Sequence, residues 1–236
     1  MADGGALFLV MLGVVFSLPA MMGRAKASSS ARELFAKSKG INLLAAARVA
    51  LFGARDVWFV VGVPVFLYAS GWTFTMVGAF LALWTIGYGL VQAAAPSLVA
   101  RSPDGLSREV PAARGWSLGL AIVPVLIAAI LALAPPDPTV VLVVGLAVFG
   151  IAFAVNSSVH SYLVLAYAGS EKAAEDVGFY YAANAAGRFI GILASGLLYQ
   201  SGGILACLIG SAAMLFICWI FTLGLPTQAD TKPVAA

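Results

Sequence analysis

The sequence predicts an all-α integral membrane protein with about seven transmembrane helices, and three observations predict it. The chain is 62% hydrophobic and 10% charged, whereas a soluble domain averages about 45–50% apolar and 25% charged residues. Asp, Glu, Lys and Arg are absent from Val57 to Ala100, Gly115 to Pro136, Pro138 to Ser170 and Phe189 to Ala229. Each stretch holds all or most of the roughly 20 apolar residues that a membrane helix needs. Turn-forming Gly, Pro, Ser and Asp punctuate these runs.

The first span is expected over Gly5–Met22. A secretory signal carries positive charge ahead of its apolar region; here Asp3 precedes the run and the basic residues follow it, so a true span is expected. A basic linker, 23–40, comes next. The second span, Ile41–Ala69, carries charges, and Ser70-Gly71 joins it to the third, Trp72–Ala95. A polar joint, Pro96–Gly115, leads to the fourth, Trp116–Ala134. Pro135-Pro136-Asp137-Pro138 turns the chain into the fifth, Thr139–Ala168. After Gly169–Asp176 comes the sixth, Val177–Gln200, then Ser201-Gly202-Gly203, then the last, Ile204–Leu225, and a tail over 227–236. Cys207 and Cys218 lie 11 positions apart in that last span, about 16 Å on a helix, too far to pair, and read as packing residues.

Basic residues set the orientation. Arg24, Lys26, Arg32, Lys37, Lys39, Arg101, Arg108, Arg114, Lys172 and Lys232 sit in the long joints and the tail, and the three short joints carry none. Positive charge stays on the cytoplasmic side, so the long joints and the C-terminus are expected in the cytoplasm of a cell with the chain in its inner (plasma) membrane. One helix, a basic linker and six further helices is the pattern of the latter part of a twelve-helix transporter built from two six-helix halves. An N-terminal portion is therefore expected to be missing.

Charges within spans are costly and mark function. Arg48, Arg55 and Asp56 fall in the second span, Arg188 in the sixth, and His160, the single histidine, in the fifth. Arg48 and Arg55 share a helix face. Asn156, His160 and Tyr167 form a second polar face, and Tyr181, Asn184, Arg188 and Ser195 a third; the fourth and last spans have no comparable stripe. Striped helices line a polar cavity and uniformly apolar ones face lipid. Arg55 and Asp56 point about 100° apart, which makes them poor partners for each other. If Asp56 pairs with one arginine, two remain, and an unpaired guanidinium in a low-dielectric interior calls for an anion. The planar fork suits phosphate-like and carboxylate oxygens.

Plainer readings stand beside these. Arg48 either lines the cavity or snorkels to the interface. His160 is either a buried hydrogen-bonded side chain or a proton-coupling group. Asn156-Ser157-Ser158 matches a glycan acceptor pattern inside a span, where it cannot act as one. Trp58-Phe59 and Phe179-Tyr180-Tyr181 read as packing or interface aromatics. No phosphate loop, metal-ligand cluster or nucleophile elbow is present, so an enzyme and a bound cofactor are not expected, and no basic patch points to nucleic acid.

The sixth span reads Gly178-Phe-Tyr-Tyr-Ala-Ala-Asn184-Ala-Ala-Gly187-Arg188-Phe-Ile-Gly191-Ile-Leu-Ala-Ser195-Gly196. It resembles the eleventh helix of major facilitator superfamily transporters, in which small residues allow close helix approach. Within that superfamily, Leu51-Phe-Gly-Ala-Arg55-Asp56 through Pro64-Val-Phe-Leu67, Phe80-Leu-Ala-Leu-Trp84 through Gln92, and Phe153-Ala-Val-Asn156-Ser157-Ser158-Val-His160 through Leu163, continuing into Asp176-Val-Gly-Phe-Tyr-Tyr, resemble the ArsJ-type organoarsenical efflux permeases. The likeness covers most of Ile41 to Pro226. It implies that 41–226 is the six-helix C-terminal half of a major facilitator fold and that the first span is the sixth of twelve. It implies export of 1-arseno-3-phosphoglycerate, made from arsenate by a glyceraldehyde-3-phosphate dehydrogenase, and hence arsenate resistance. Arg55, Asn156, His160, Asn184 and Arg188 are then the expected substrate-binding residues, Asp56 or His160 the proton-coupling group, and Arg48, Tyr181, Ser157 and Gln92 cavity lining. The Pro96–Gly115 joint lacks the acidic-glycine-arginine motif of many facilitators. Export of another phosphorylated or carboxylated anion and a non-transporting membrane subunit are the competing expectations.

Overall fold

A computed structural model describes residues 37–99, 101–168 and 173–227, together with Gly13 and Ser17. The chain divides into two compact units, Met1–Ala36 and Lys37–Ala236. In the first, Gly13 and Ser17 are both helical. The remainder of the expected first span, the linker residues Arg24, Lys26 and Arg32, the joint residue Lys172 and the tail beyond Thr227 lie outside the described residues.

The second unit is all-helical among its described residues. Its elements are α1 (Lys39–Phe59), α2 (Gly62–Ala69), α3 (Phe74–Leu98), α4 (Glu109–Ala132), α5 (Pro138–Tyr167) and α6 (Ala173–Leu223). Five stretches are long and apolar enough to cross a membrane: α1 with α2, then α3, α4, α5 and α6. Short side chains start the helices. Ser38 accepts from the N–H of Ile41 at 3.3 Å, Thr73 from Met76 at 3.3 Å, and Asp137 from Thr139 and Val140 at 3.0 Å. Each thereby satisfies orphan donors of a first turn.

The sequence expectation holds at one helix break and fails at two other places, each for a local reason. A continuous helix over the 51 residues of α6 would run about 75 Å at about 1.5 Å per residue, more than twice a bilayer core. It is broken where Gly202 and Gly203 leave helical geometry, and Gly203 sits at φ 62°, ψ −152°, a region open to glycine and costly for other residues. The break falls at the expected Ser-Gly-Gly turn. The expected second span is interrupted at Val60-Val61, just ahead of Pro64, whose ring nitrogen cannot continue the ladder. The freed N–H groups of Val61 and Gly62 donate to Ser195 Oγ at 3.2 and 3.3 Å, so the break is satisfied inside protein, as an apolar medium requires. Finally, α3 runs through Pro96 to Leu98 and α4 starts at Glu109 rather than Trp116, shrinking the polar joint. The charges of that region are used locally. Glu109 Oε1 accepts from the backbone N–H of Ser102 at 2.8 Å, and Oε2 accepts from the Ser102 hydroxyl. Arg114 donates to the carbonyls of Thr222, Leu223 and Leu225 at 3.1–3.2 Å, capping the end of α6 where cations are favoured.

Two kinds of packing position the interior. The backbones of α1 and α6 meet through glycine. A Cβ on Gly187 would strike the Val49 carbonyl, and one on Gly191 would strike the Gly53 carbonyl and come within 3.0 Å of Asp56 Cβ. Gly196, on the same arm, faces open space. Gly191→Leu is therefore expected to cost about 1–3 kcal/mol or more through overpacking, with Gly196→Leu near neutral. Thermal unfolding of both variants in detergent checks this, and equal midpoints would contradict it. Elsewhere aromatic rings join α1, α3 and α5. Trp58 lies edge-on to Trp84 and Phe149 at 5.5 and 5.0 Å between centroids, and Trp84 Nε1 donates to the Leu146 carbonyl at 2.8 Å. Large apolar side chains also cover much of the outer surface, among them Phe74, Leu83, Leu90, Leu165 and Leu197, as a lipid-facing surface would show.

Candidate functional site

The interior charge is organised around α1. Phe52 sits one turn after Arg48 and just before Arg55, and both guanidinium carbons lie over its ring, at 4.0 and 5.2 Å. The helical spacing that puts both arginines on one face therefore puts an aromatic between them.

Asp56, fully buried, holds two of the three interior arginines. Its Oδ1 accepts from Arg55 Nε at 2.7 Å, with Arg55 Nη2 at 2.6 Å, and its Oδ2 accepts from Arg188 Nε at 3.0 Å. The expectation that Arg55 and Asp56 are poor partners is thus corrected. Helical periodicity separates their Cβ vectors, but the long arginine stem bends back along the helix surface to reach its neighbour. Arg188 remains half exposed, at 53% of its side-chain surface, on a helix face that also shows Tyr181, Phe189 and Leu193. The Gly53–Gly191 approach brings α1 and α6 close enough for the Asp56–Arg188 bond.

Arg48 is held otherwise. It is buried to 4% exposure, and Nη1 donates to Ser157 Oγ at 3.1 Å and to the Ser157 carbonyl at 3.4 Å. The Tyr180 ring lies 4.7 Å from its guanidinium carbon. It does not snorkel; it points into the bundle, and no carboxylate lies within ion-pair distance of it among the described residues.

The polar face of α5 divides. Asn156, Ser157 and His160 are fully buried, whereas Tyr167 is drawn to the chain end, its hydroxyl donating to the Pro226 carbonyl at 2.6 Å. Asn156 Oδ1 accepts from Ser117 Oγ on α4 at 3.2 Å. On α6, Tyr180 is buried against Arg48 while Tyr181 is half exposed, Asn184 is half-buried, and Ser195 is spent on the α1–α2 break. Gln92 is half-buried on α3. The structure therefore gathers Arg48, Ser157 and Tyr180 in one cluster and Arg55, Asp56 and Arg188 in another; Asn156 turns to Ser117 on α4, and His160 is buried one turn after Asn156 on α5.

Sequence reasoning missed Ser117, a single hydroxyl on an apolar helix without a stripe to mark it, and it put Ser195 on the polar face of α6 without seeing that the α1–α2 break would occupy it. It also missed the tie from Lys37 to Glu175 and Asp176, at 3.5 and 3.0 Å, which joins the starts of α1 and α6. Cys207 and Cys218 are free and buried. Cavities of about 410 and 290 Å³ lie between α4 and α5 and between α3 and α5, lined by apolar and aromatic residues such as Val123, Val144, Trp84 and Tyr88, apart from the charged clusters. Among the described residues no three His, Cys, Asp or Glu side chains are grouped as metal ligands.

In comparisons with protein-family models, with characterised proteins and with solved structures, nothing matches this chain.

Proposed function

We propose that this chain is one six-helix half of a secondary transporter of the major facilitator kind and exports an organoarsenical oxyanion. The observation that carries this reading is the charge of the interior. Three arginines face one aspartate across α1 and α6, and Arg48 has a hydroxyl, a carbonyl and two rings where a carboxylate would neutralise it. A buried cation without a counter-ion is strongly disfavoured unless a ligand supplies the charge, and intramembrane charges mark substrate and ion pathways.

In this reading the long joints and the C-terminus face the cytoplasm, and a second six-helix half completes the cavity. Asp56 is the coupling group. Its protonation would free Arg55 and Arg188 and loosen α1 from α6, linking proton movement to the opening of the bundle. His160 is the second proton-coupling candidate on α5. The substrate class follows from the sequence likeness and from the charge together: a phosphorylated adduct of arsenate, released by the dehydrogenase reaction that forms it.

Arsenate resistance in an arsenic-sensitive bacterium supplied with glyceraldehyde-3-phosphate dehydrogenase tests the proposal. Resistance is expected when this chain is expressed with a facilitator N-terminal half and is expected to require the dehydrogenase. Resistance to a different phosphorylated or carboxylated anion, with none to arsenate, would keep the transporter and change its cargo.

A further inference from the structure

Asp56 accounts for two interior arginines and leaves the third. The rings of Phe52 and Tyr180 and the hydroxyl of Ser157 hold the Arg48 cation in place. They engage the ring-facing carbon and Nη1. Arg48 Nε, on the opposite fork, has no hydrogen-bond partner. In a guanidinium the Nε–H and one Nη2–H run parallel, the edge that takes two oxygens of a carboxylate or phosphate side by side.

Arg48 is not alone in this. Asn156 Nδ2 and both ring nitrogens of His160 are also buried without partners, and the buried Tyr180 hydroxyl has only Ser161 beside it. Tyr180 lies against the guanidinium, Asn156 is the chain neighbour of the Ser157 that binds it, and His160 follows Asn156 by one turn on α5. Buried polar atoms are nearly always hydrogen-bonded, and each exception in a native structure needs an explanation. These groups share a chemical sense: a guanidinium, an amide NH2, a phenol and an imidazole can all donate. Unpartnered buried donors beside an uncompensated cation are matched by a ligand that accepts hydrogen bonds and carries negative charge.

We propose that the Arg48 fork, with Asn156, Tyr180 and His160 around it, is the oxyanion seat, taking a tetrahedral phosphate- or arsenate-type group, while Asp56 with Arg55 and Arg188 is the tie between α1 and α6. This placement rests on the reading of the chain as an anion transporter. It moves the anion from the two arginines that the sequence favoured to the one that the sequence assigned only to the cavity wall. Lysine keeps the charge at position 48 and cannot form the side-by-side pair, so the seat depends on arginine and not on charge alone.

The test is calorimetric titration of inorganic phosphate, and separately arsenate, into the full chain in lipid nanodiscs. Wild type and Arg101→Gln, an exposed arginine of the α3–α4 joint, are expected to bind alike. Arg48→Gln and Arg48→Lys are expected to bind at least tenfold more weakly. Thermal unfolding accompanies each titration, and Arg48→Lys, which retains the buried cation, keeps the test open should Arg48→Gln fail to fold. Wild-type affinity in both Arg48 variants, or loss confined to Arg188→Gln, would overturn the seat while leaving anion transport in place. Absence of phosphate and arsenate binding by the wild type would also overturn it, and arsenate resistance, measured separately in cells, would then decide the transport reading.

Discussion

Asp56→Asn is expected to destabilise the bundle by about 3–5 kcal/mol, the cost of removing one partner from a buried ion pair. Asp56 is fully buried and each of its oxygens accepts from a different arginine. Asparagine fills the same space and can still accept at one atom, but it presents an NH2 to one guanidinium and leaves the local charge at plus two. Arg188 is half exposed and free to swing away from the site, whereas Arg55, only 13% exposed, is held beside it, so most of the cost falls on Arg55. Two further variants separate charge from shape. Arg188→Gln alone should cost less than Asp56→Asn, and Asp56→Asn combined with Arg55→Gln should recover part of the loss, because the stranded charge is gone. Unfolding of these variants and of Arg55→Gln alone, in detergent or nanodiscs, completes the cycle. Strict additivity would show that Asp56 and Arg55 do not interact. The same loosening of α1 from α6 is what protonation of Asp56 would produce in the proposed coupling step, so Asp56→Asn should also make transport insensitive to the proton gradient.

Trp58→Ala is expected to cost about 3–5 kcal/mol, the usual range for deleting a buried aromatic. Trp58 is fully buried and edge-on to Phe59, Trp84 and Phe149, at 5.0 to 5.7 Å. Its removal leaves a void at the junction of α1, α3 and α5, and lipid chains offer no substitute for that packing. Trp58→Phe keeps a ring and should lose under half as much. It also removes an indole N–H that has no partner, which offsets part of the lost volume. Differential scanning of both variants checks the order; an alanine variant as stable as the phenylalanine one would mean that the aromatic cluster does not hold these helices together.

Much of the fold was legible because the forces that set it act on runs of residues. Charge-free stretches located α3, α5 and the second arm of α6, and the Ser-Gly-Gly turn located the break that lets α6 fold. What escaped was decided by single contacts between distant segments. Val60-Val61-Gly62-Val63-Pro64 reads as unbroken apolar helix, and only Ser195, arriving from α6, supplies the acceptor that makes a break there tolerable. The early start of α4 escaped because Glu109 and Arg114 look like loop residues until Ser102 and the end of α6 are seen to satisfy them. At the candidate site, the residue types were legible and their partners were not. Periodicity put Arg48 and Arg55 on one face, yet it ruled Arg55 away from Asp56, because Cβ direction ignores the reach of a long side chain. It also chose Tyr181 for the cavity wall, whereas Tyr180 is the one buried against Arg48 and Tyr181 is half exposed.

The central claim is that this buried positive interior belongs to a transporter half that moves an arsenate-derived oxyanion. Its most direct test is arsenic release from sealed vesicles. The vesicles hold this chain with a facilitator N-terminal half and are loaded with arsenate, glyceraldehyde-3-phosphate dehydrogenase, its nicotinamide cofactor and glyceraldehyde 3-phosphate. Release that needs both the dehydrogenase and the protein, and that falls at least tenfold in Arg48→Lys, is the predicted result. Arsenic retained as in protein-free vesicles, with both halves inserted and folded, would contradict it.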